Sequence, residues 1–212
     1  MRTIILGKEG SQPFPITADG VSRHHARITI YDADNWVLED TDSSNGTYIR
    51  NEADGTMSRV ARIGITPMTF ICLGPDNAKG CGFYARQILK ENYGNFTTEY
   101  EYLNELEDRF DGQLQQIEQN SKNLNIVKAV LPVVLLALSF AVIPGMGPVS
   151  WIIRGTASAL PTVFILMFYN PAEMKKGHKD RHDKFSHCPN PCCSNMLTSK
   201  EIRNMRCSKC KK

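Results

Sequence analysis

Two short stretches of the N-terminal region, VSRHHARI (21–28) and DSSNGTYI (42–49), contain the signals on which the fold assignment depends. Each begins with polar residues that favour loops and ends with residues that favour strands. The spacing between them is too short for two separate domains, so both stretches belong to one unit. The first holds two of the five histidines of the chain, His24 and His25, which raises the question of whether they are ligands, catalytic bases or structural residues.

Short runs rich in β-branched and aromatic residues surround these stretches. The runs are RTIIL (2–6), ARITIY (26–31), NWVLED (35–40), GTYIR (46–50), MTFICL (68–73) and FYARQI (83–88). Many short strands separated by turn clusters, with no intervening helix, predict a mainly β domain, an antiparallel β-sandwich of about ninety residues. We expect it to span residues 1–92 and to carry its functional residues on the loops at one end.

The order of four segments, ILGK (5–8), VSRHHARI, WVLED (36–40) and SSNGTYI (43–49), resembles the forkhead-associated (FHA) domain. That family has G-R, S-R-x-H and N-G-T blocks in the same order, and the resemblance extends to about residue 90. It implies an antiparallel β-sandwich that binds phosphothreonine peptides through its apical loops.

The resemblance also implies roles for individual residues. Those expected to contact the phosphopeptide are Lys8, Ser22, Arg23, Ser44 and Asn45. Those expected to support the binding loops are Gly7, His25, Gly46 and Thr47. Lysine stands at position 8 where the family usually has arginine, and it keeps the charge but lacks the planar two-pronged guanidinium. A sandwich that has kept the fold and lost phosphopeptide binding is therefore the alternative.

Residues 96–125 predict an amphipathic helical stalk. Apolar side chains recur mostly at steps of three and four residues, as helix faces require. They are Leu103, Leu106, Phe110, Leu114, Ile117 and Leu124. This stripe predicts either packing against the sandwich or self-association of the stalk.

Residues 126–170 predict a transmembrane helical hairpin. Two apolar segments of about twenty residues each are long enough to cross a bilayer as helices. The link PGMGP (144–148) is rich in helix-breaking residues and short, which predicts a tight turn between the spans. A buried hairpin in the core of a soluble protein is the alternative.

The charge distribution predicts the topology of this hairpin. The total of +3 conceals a net charge of −6 before residue 126, +2 over residues 126–172 and +7 after residue 172. Residues 171–187 are predicted to form a basic juxtamembrane linker, whereas the turn between the spans carries no charge. The positive-inside rule then places both termini in the cytoplasm, and we expect the membrane to be the inner membrane of a bacterium.

Five of the seven cysteines lie in the last 25 residues. Cys188 with Cys193 and Cys207 with Cys210 form two closely spaced pairs, a pattern typical of a small zinc ribbon over residues 188–212. Cys192 is a possible substitute for Cys193. Four thiolates leave no open coordination position, so the predicted Zn²⁺ is structural. Three nearby histidines are instead expected on a solvated face: His178, His182 and His187.

Together these features predict a membrane-anchored adaptor and not an enzyme. No catalytic constellation and no nucleotide-binding loop is apparent in the sequence. The expected partners are a threonine-phosphorylated protein and the lipid bilayer, in bacterial signalling or in the assembly of a membrane machinery. Two alternatives stay open: a structural subunit of a membrane complex that no longer binds phosphate and, less favoured, a nucleic-acid-binding membrane protein that uses the basic ribbon.

Overall fold

The computed structural model describes residues 1–33, 35–75, 80–142, 147–191, 193 and 195–212. The chain divides into two compact units. The first comprises Met1–Asp108 together with Arg181–Lys212, and the second comprises Arg109–Asp180.

The described residues of the first unit form two antiparallel sheets of four strands each. The strands are β1 Arg2–Leu6, β2 Ala26–Ile30, β3 Trp36–Asp40, β4 Thr47–Arg50, β5 Met57–Val60, β6 Arg62–Ile65, β7 Phe70–Leu73 and β8 Cys81–Tyr84. One sheet has the order β1-β2-β3-β6 and the other β5-β4-β7-β8. This arrangement agrees with the predicted β-sandwich.

Alternate residues of the strands form the hydrophobic core. Leu6, Ile28 and Leu38 of one sheet and Ile71 and Phe83 of the other are fully buried in a single cluster. Burial of apolar surface on this scale is the main stabilising contribution to such a domain.

Two strands were not predicted from the sequence. In β5 and β6 most side chains are exposed or only partly buried, so the runs MSRV and RIGI lack a clear apolar alternation. The run FYARQI is strand only as far as Tyr84 and continues as a 3-10 turn over Ala85–Ile88.

In the part of the chain that the structure describes, four α-helices follow the sandwich. They are α1 Thr97–Val142, α2 Pro148–Phe168, α3 Pro171–Phe185 and α4 Ser199–Arg203. Helix α1 runs without interruption from the predicted stalk into the first apolar segment. Most of the segment predicted as a basic linker is helical, because α3 extends to Phe185.

Helix α1 contains a segment that is long and apolar enough to cross a membrane, judged by length and composition alone. Only 6% of this segment is buried, so its apolar side chains face outward instead of filling a protein core. Among the described residues it is the one helix that meets these criteria. A second span in α2 stays a prediction, and most of the PGMGP link lies outside the described residues.

The second unit contains a buried cation. Arg154 of α2 is only 3% exposed, and its guanidinium lies 4.4 Å from the ring centroid of Phe140 on α1. The ring of Trp151 also lies near it, 5.5 Å from the guanidinium carbon to the centroid. Contacts of this kind stabilise a cation where water is scarce.

The C-terminal residues pack within the first unit, beside the sandwich and the start of α1. Arg50 of β4 is buried, with its guanidinium 4.2 Å from the ring of Phe70 and 4.9 Å from the ring of Phe185. It also donates a 2.9 Å hydrogen bond to the hydroxyl of Tyr84. Near the other end of this segment, the hydroxyl of Tyr100 donates to the carbonyl oxygen of Lys212 at 3.1 Å.

The first part of the apolar stripe of α1 is buried within the same unit. Tyr100, Leu103 and Leu106 are buried there. This first part of the stripe is therefore enclosed within the first unit, whereas its packing against the sandwich itself stays a prediction.

Candidate functional site

A tight turn after β1 places Lys8 beside Ser22 and Arg23. The amide of Lys8 donates to the carbonyl oxygen of Ser22 at 3.1 Å, and the amide of Glu9 donates to that of Arg23 at 2.9 Å. Gly7 has a φ of 152°, and a Cβ there would collide with the Arg23 carbonyl oxygen. Glycine is therefore required where the two segments approach each other.

His25 connects the two loops that carry the sequence motifs. The amide of Ser22 donates to Nδ1 of His25 at 3.0 Å, and Nε2 lies 3.0 Å from the carbonyl oxygen of Gly46. Since a carbonyl can only accept, Nε2 carries the proton and Nδ1 is the acceptor. The ring is fully buried, and burial lowers the pKa of His25 although the Gly46 carbonyl and Asp40 oppose that shift.

Asp40, at the end of β3, organises the second loop. Its carboxylate accepts hydrogen bonds from the Ser43 amide at 2.8 Å, the Ser43 hydroxyl at 2.7 Å and the Thr47 hydroxyl at 2.6 Å. Burial opposes ionisation of Asp40, but these hydrogen bonds outweigh it and lower the pKa. The Ser43 hydroxyl in turn accepts from the amide of Gly46 at 3.0 Å.

Asp40 and Ser43 were not among the residues predicted for the site. The signal available in the sequence was an acidic residue at a strand end with serine three positions later, a spacing typical of side chains that bind turn amides.

The remaining predicted contact residues lie close to one another on the two loops. The amide of Ser44 donates to the hydroxyl of Ser22 at 3.3 Å. The side-chain amide of Asn45 donates to the carbonyl oxygen of Gly20 at 2.8 Å, so one polar group of this side chain is already used within the chain.

Among the described residues, the charged side chains beside Ser22 have no acidic partner. Lys8 and Arg23 are exposed, and within the described ranges no carboxylate forms an ion pair with either. His24 is also exposed. The arrangement leaves two cations and short polar groups directed to solvent from one pair of loops, which suits an anionic ligand.

The four cysteines predicted as metal ligands lie together. The Sγ atoms of Cys188, Cys193, Cys207 and Cys210 are all within 4.8 Å of one another. Two pairs, Cys188 with Cys210 and Cys193 with Cys207, are separated by 3.7 Å. Tetrahedral zinc with Zn–S bonds of about 2.3 Å would separate its sulfur ligands by about 3.8 Å, so the donor set fits this metal. Cys192, the possible substitute, lies outside the described residues.

Neighbouring side chains stabilise the loops that carry these cysteines. Glu201 of α4 accepts from the amides of Ser208 at 2.8 Å and of Thr198 at 2.8 Å. The hydrogen bonds from Ser208 and Thr198 lower the pKa of Glu201 to about 2. Burial raises the pKa of Cys193 to about 11, so a bound cation would be needed to favour its thiolate.

The histidines near the membrane segment differ from the prediction of a solvated face. In the second unit, His178 is buried, with Nε2 2.9 Å from the carbonyl oxygen of Phe110. In the first unit, Nε2 of His182 lies 2.6 Å from the carboxylate of Glu107. Among the described residues, none of the three histidines belongs to the cysteine cluster.

The comparisons with known proteins identify the N-terminal domain. Residues 4–62 match the model of the FHA domain family, so this part of the chain is an FHA domain and the resemblance seen in the sequence is confirmed. No curated protein matches the chain.

Three solved structures are similar to this part of the chain. The FhaA FHA domain, crystallised in complex with the intracellular domain of Rv3910, is 29% identical, with 35% of this chain and 76% of that chain covered and a TM-score of 0.28. The FHA domain of the CT664 protein from Chlamydia trachomatis is 23% identical, with coverage of 34% and 69% and a TM-score of 0.28. Mycobacterium tuberculosis Rv1747 FHA-1 is 23% identical, with coverage of 36% and 72% and a TM-score of 0.29.

Proposed function

We propose that the protein is a membrane-anchored adaptor whose FHA domain binds a threonine-phosphorylated protein partner. FHA domains bind phosphothreonine partners, and residues 4–62 carry this domain. The observation that supports the proposal most directly is that His25 connects both motif loops. In this arrangement the amide of Ser44 lies 3.3 Å from the hydroxyl of Ser22.

In this proposal Lys8, Ser22, Arg23 and Ser44 bind the phosphate. Hydroxyl, amide and cationic groups are the donors that the acceptor oxygens of a phosphate require. Asn45 holds the backbone of the peptide in one of two ways. Its side-chain NH₂ group leaves the Gly20 carbonyl oxygen and donates to the peptide instead, or its side-chain oxygen accepts from the peptide.

The remaining parts of the chain supply anchorage and a metal-stabilised tail. The apolar segment of α1 supports anchorage in a bilayer, and the apolar α2 would complete a two-span hairpin with both termini in the cytoplasm of a bacterium. The four clustered cysteines would hold one structural Zn²⁺ and keep the tail folded beside the FHA domain.

The topology is tested with a thiol reagent that does not cross membranes. In intact cells we expect labelling of a cysteine introduced at Met146, and none of a cysteine introduced at Lys90 or Lys176. The native protein, which has seven cysteines of its own, is treated in parallel to measure the background labelling. Labelling at Lys176 without labelling at Lys90 would show a single span instead of a hairpin.

Phosphopeptide binding is tested with the full chain in lipid nanodiscs. A library of phosphothreonine peptides is compared by fluorescence anisotropy with phosphoserine and unphosphorylated counterparts. Charge-assisted hydrogen bonds are worth about 1.5 to 3 kcal/mol each, so Ser22→Ala should weaken binding about tenfold or more. Ser58→Ala, at an exposed serine of β5, should leave the affinity unchanged.

The main alternative is a structural subunit whose FHA fold no longer binds phosphate. The lysine at position 8, where the family usually has arginine, favours this alternative. Equal binding to phosphorylated and unphosphorylated peptides, or no binding to either, would contradict the proposed function and leave the structural role.

A further inference from the structure

A second pocket of the first unit lies at the end of β4 that is remote from the candidate site. Strand β4 begins at Thr47, in the second loop, and ends at Arg50, where the turn 51–56 follows. The pocket has a volume of about 370 Å³, in the range of small-ligand sites. Its lining contains two cations and, among the described residues, no carboxylate: Arg50, Gly55, Thr56, Met57, Phe70, Lys184 and His187.

Arg50 is a buried cation that no described carboxylate neutralises. It is only 7% exposed and forms no ion pair with the described acidic residues. The described hydrogen bonds use two of its N–H groups, which donate to the hydroxyl of Tyr84 at 2.9 Å and to the carbonyl oxygen of Lys184 at 3.3 Å. A guanidinium has further donors, and burial of an uncompensated charge is costly. An anion in the pocket would therefore stabilise Arg50.

Lys184 brings the second cation to this pocket. Gly55 has a φ of 69°, and a Cβ there would lie 2.9 Å from Cβ of Lys184 and 3.0 Å from Cε2 of Phe185. Glycine thus lets the turn pack closely against the end of α3. The side chain of Lys184 is exposed, and no described carboxylate forms an ion pair with it.

The two acidic residues of the turn, Glu52 and Asp54, do not line the pocket. The carboxylate of Asp54 accepts from the amide of Thr56 at 2.9 Å and from its hydroxyl at 2.7 Å. These hydrogen bonds and, to a lesser extent, the charge of Lys184 lower the pKa of Asp54. Asp54 is therefore bound to the turn itself, and both cations stay available to a ligand.

We propose that this pocket is a second anion site, which binds a phosphate group through Arg50 and Lys184. Two cations favour a dianion over a single carboxylate, and a guanidinium can offer paired donors to the phosphate oxygens. Met57 and Phe70 supply an apolar wall for the carbon atoms of the ligand. The phosphate belongs to a small phosphorylated molecule or to a lipid headgroup. This site is separate from the phosphopeptide loops and does not depend on the proposed function.

The test titrates inorganic phosphate into the full chain in phosphatidylcholine nanodiscs, with calorimetry as the readout. The Ser22→Ala variant is the background, so that the apical loops contribute little. In this background Lys184→Gln should weaken phosphate binding about three- to fivefold, as expected for an exposed charge. Arg50→Lys keeps the charge but loses the paired donors and should weaken binding about tenfold. Melting curves show whether each variant is folded, and the exposed Lys184 decides the question if Arg50→Lys does not fold.

The matched control is Lys200→Gln in the same background. Lys200 is exposed on α4 and changes the net charge by the same amount, but it does not line the pocket. We expect this variant to bind phosphate as the background protein does, because a contact effect is local whereas a net-charge effect is screened by salt.

The source of the phosphate is identified by repeating the titration in nanodiscs that contain phosphatidic acid, a lipid phosphomonoester. If the headgroup occupies the pocket, added inorganic phosphate should no longer bind, and Lys184→Gln should have no further effect on the titration. Nanodiscs with phosphatidylglycerol, an anionic phosphodiester, control for surface charge. An unchanged titration in all three lipids would assign the site to a small phosphorylated molecule.

Two results would overturn the proposal. One is the absence of saturable phosphate binding in the background protein with every lipid, together with no effect of phosphatidic acid on its melting temperature. The other is an equal affinity of Lys184→Gln and Lys200→Gln for phosphate, which would leave only a general charge effect. Neither result concerns phosphothreonine-peptide binding by the wild type, so a failure of this proposal is distinct from a failure of the proposed function.

Discussion

The amide of Ser22 donates a 3.0 Å hydrogen bond to Nδ1 of His25. The opposite ring nitrogen donates to the carbonyl oxygen of Gly46 at 3.0 Å, so one neutral imidazole connects the two loops of the candidate site. A second proton, on Nδ1, would face the N–H of Ser22 and break this hydrogen bond. The geometry of the site therefore depends on the protonation state of a buried histidine.

The first prediction concerns pH. Burial lowers the pKa of His25 below its usual 6.5, so below that pH the unfolded chain binds more protons at this residue than the folded chain. The contribution of His25 to stability is complete above pH 6.5 and is lost as the pH falls toward the folded pKa. We expect the melting temperature and the phosphopeptide affinity to decrease together on acidification over this range.

Histidine NMR titrations and melting curves measure this effect. His24→Gln changes the exposed neighbour and should leave the pH profile as it is. A His25 resonance that titrates at or above pH 6.5 in the folded protein would contradict the prediction.

The second prediction concerns Asp40. In Asp40→Asn one oxygen becomes an NH₂ group, which cannot accept from Ser43 or Thr47, and the charge is lost. We expect a loss of about 1 to 3 kcal/mol in the free energy of unfolding and weaker phosphopeptide binding. Denaturant unfolding and anisotropy measure the two effects.

Asp42→Asn is the matched control for this variant. Asp42 is exposed with a φ of 56°, a conformation that asparagine adopts about as readily as aspartate. If Asp42→Asn destabilised the chain as much as Asp40→Asn, the loss would follow from net charge and not from the hydrogen bonds of Asp40.

The third prediction concerns Lys8. If lysine stands where a two-pronged guanidinium fits a phosphate better, Lys8→Arg should strengthen phosphothreonine-peptide binding by about threefold or more. Lys90→Arg, at an exposed position beyond β8, provides the control. An unchanged affinity for Lys8→Arg would show that Lys8 does not contact the phosphate.

The fourth prediction concerns the metal. The purified full chain should contain one Zn²⁺, and the double variant Cys207→Ser with Cys210→Ser should contain none. Because Tyr100 and Phe185 contact other parts of the first unit, chelation should also lower the melting temperature of that unit. Elemental analysis and melting curves with and without chelator measure both outcomes.

Cys72→Ser is the control for metal content, since Cys72 is buried in the sandwich and outside the cluster. Full metal content in the double variant would show that the tail binds zinc through other residues or that the metal is elsewhere.

The sequence by itself determined the FHA domain and the set of four cysteines that cluster in the tail. Both are encoded by short-range patterns: turn and strand residues around Ser22 and Asn45, and cysteines a few residues apart such as Cys207 and Cys210. Such patterns act locally, because a turn or a thiolate pair depends on residues adjacent in the chain. The apolar run that ends α1 was recognisable for the same reason, since length and composition alone define it.

Only the tertiary structure placed Asp40 under the second loop and Arg59 against Gly46. It also buried His178, paired His182 with Glu107 and packed the C-terminal residues within the FHA-containing unit. Apart from those of Asp40, which reach only three and seven residues along the chain, these contacts join residues far apart in sequence. Their side chains are polar or charged, so in the sequence they resemble solvated surface positions, and only the packing of strands and helices decides which of them are enclosed.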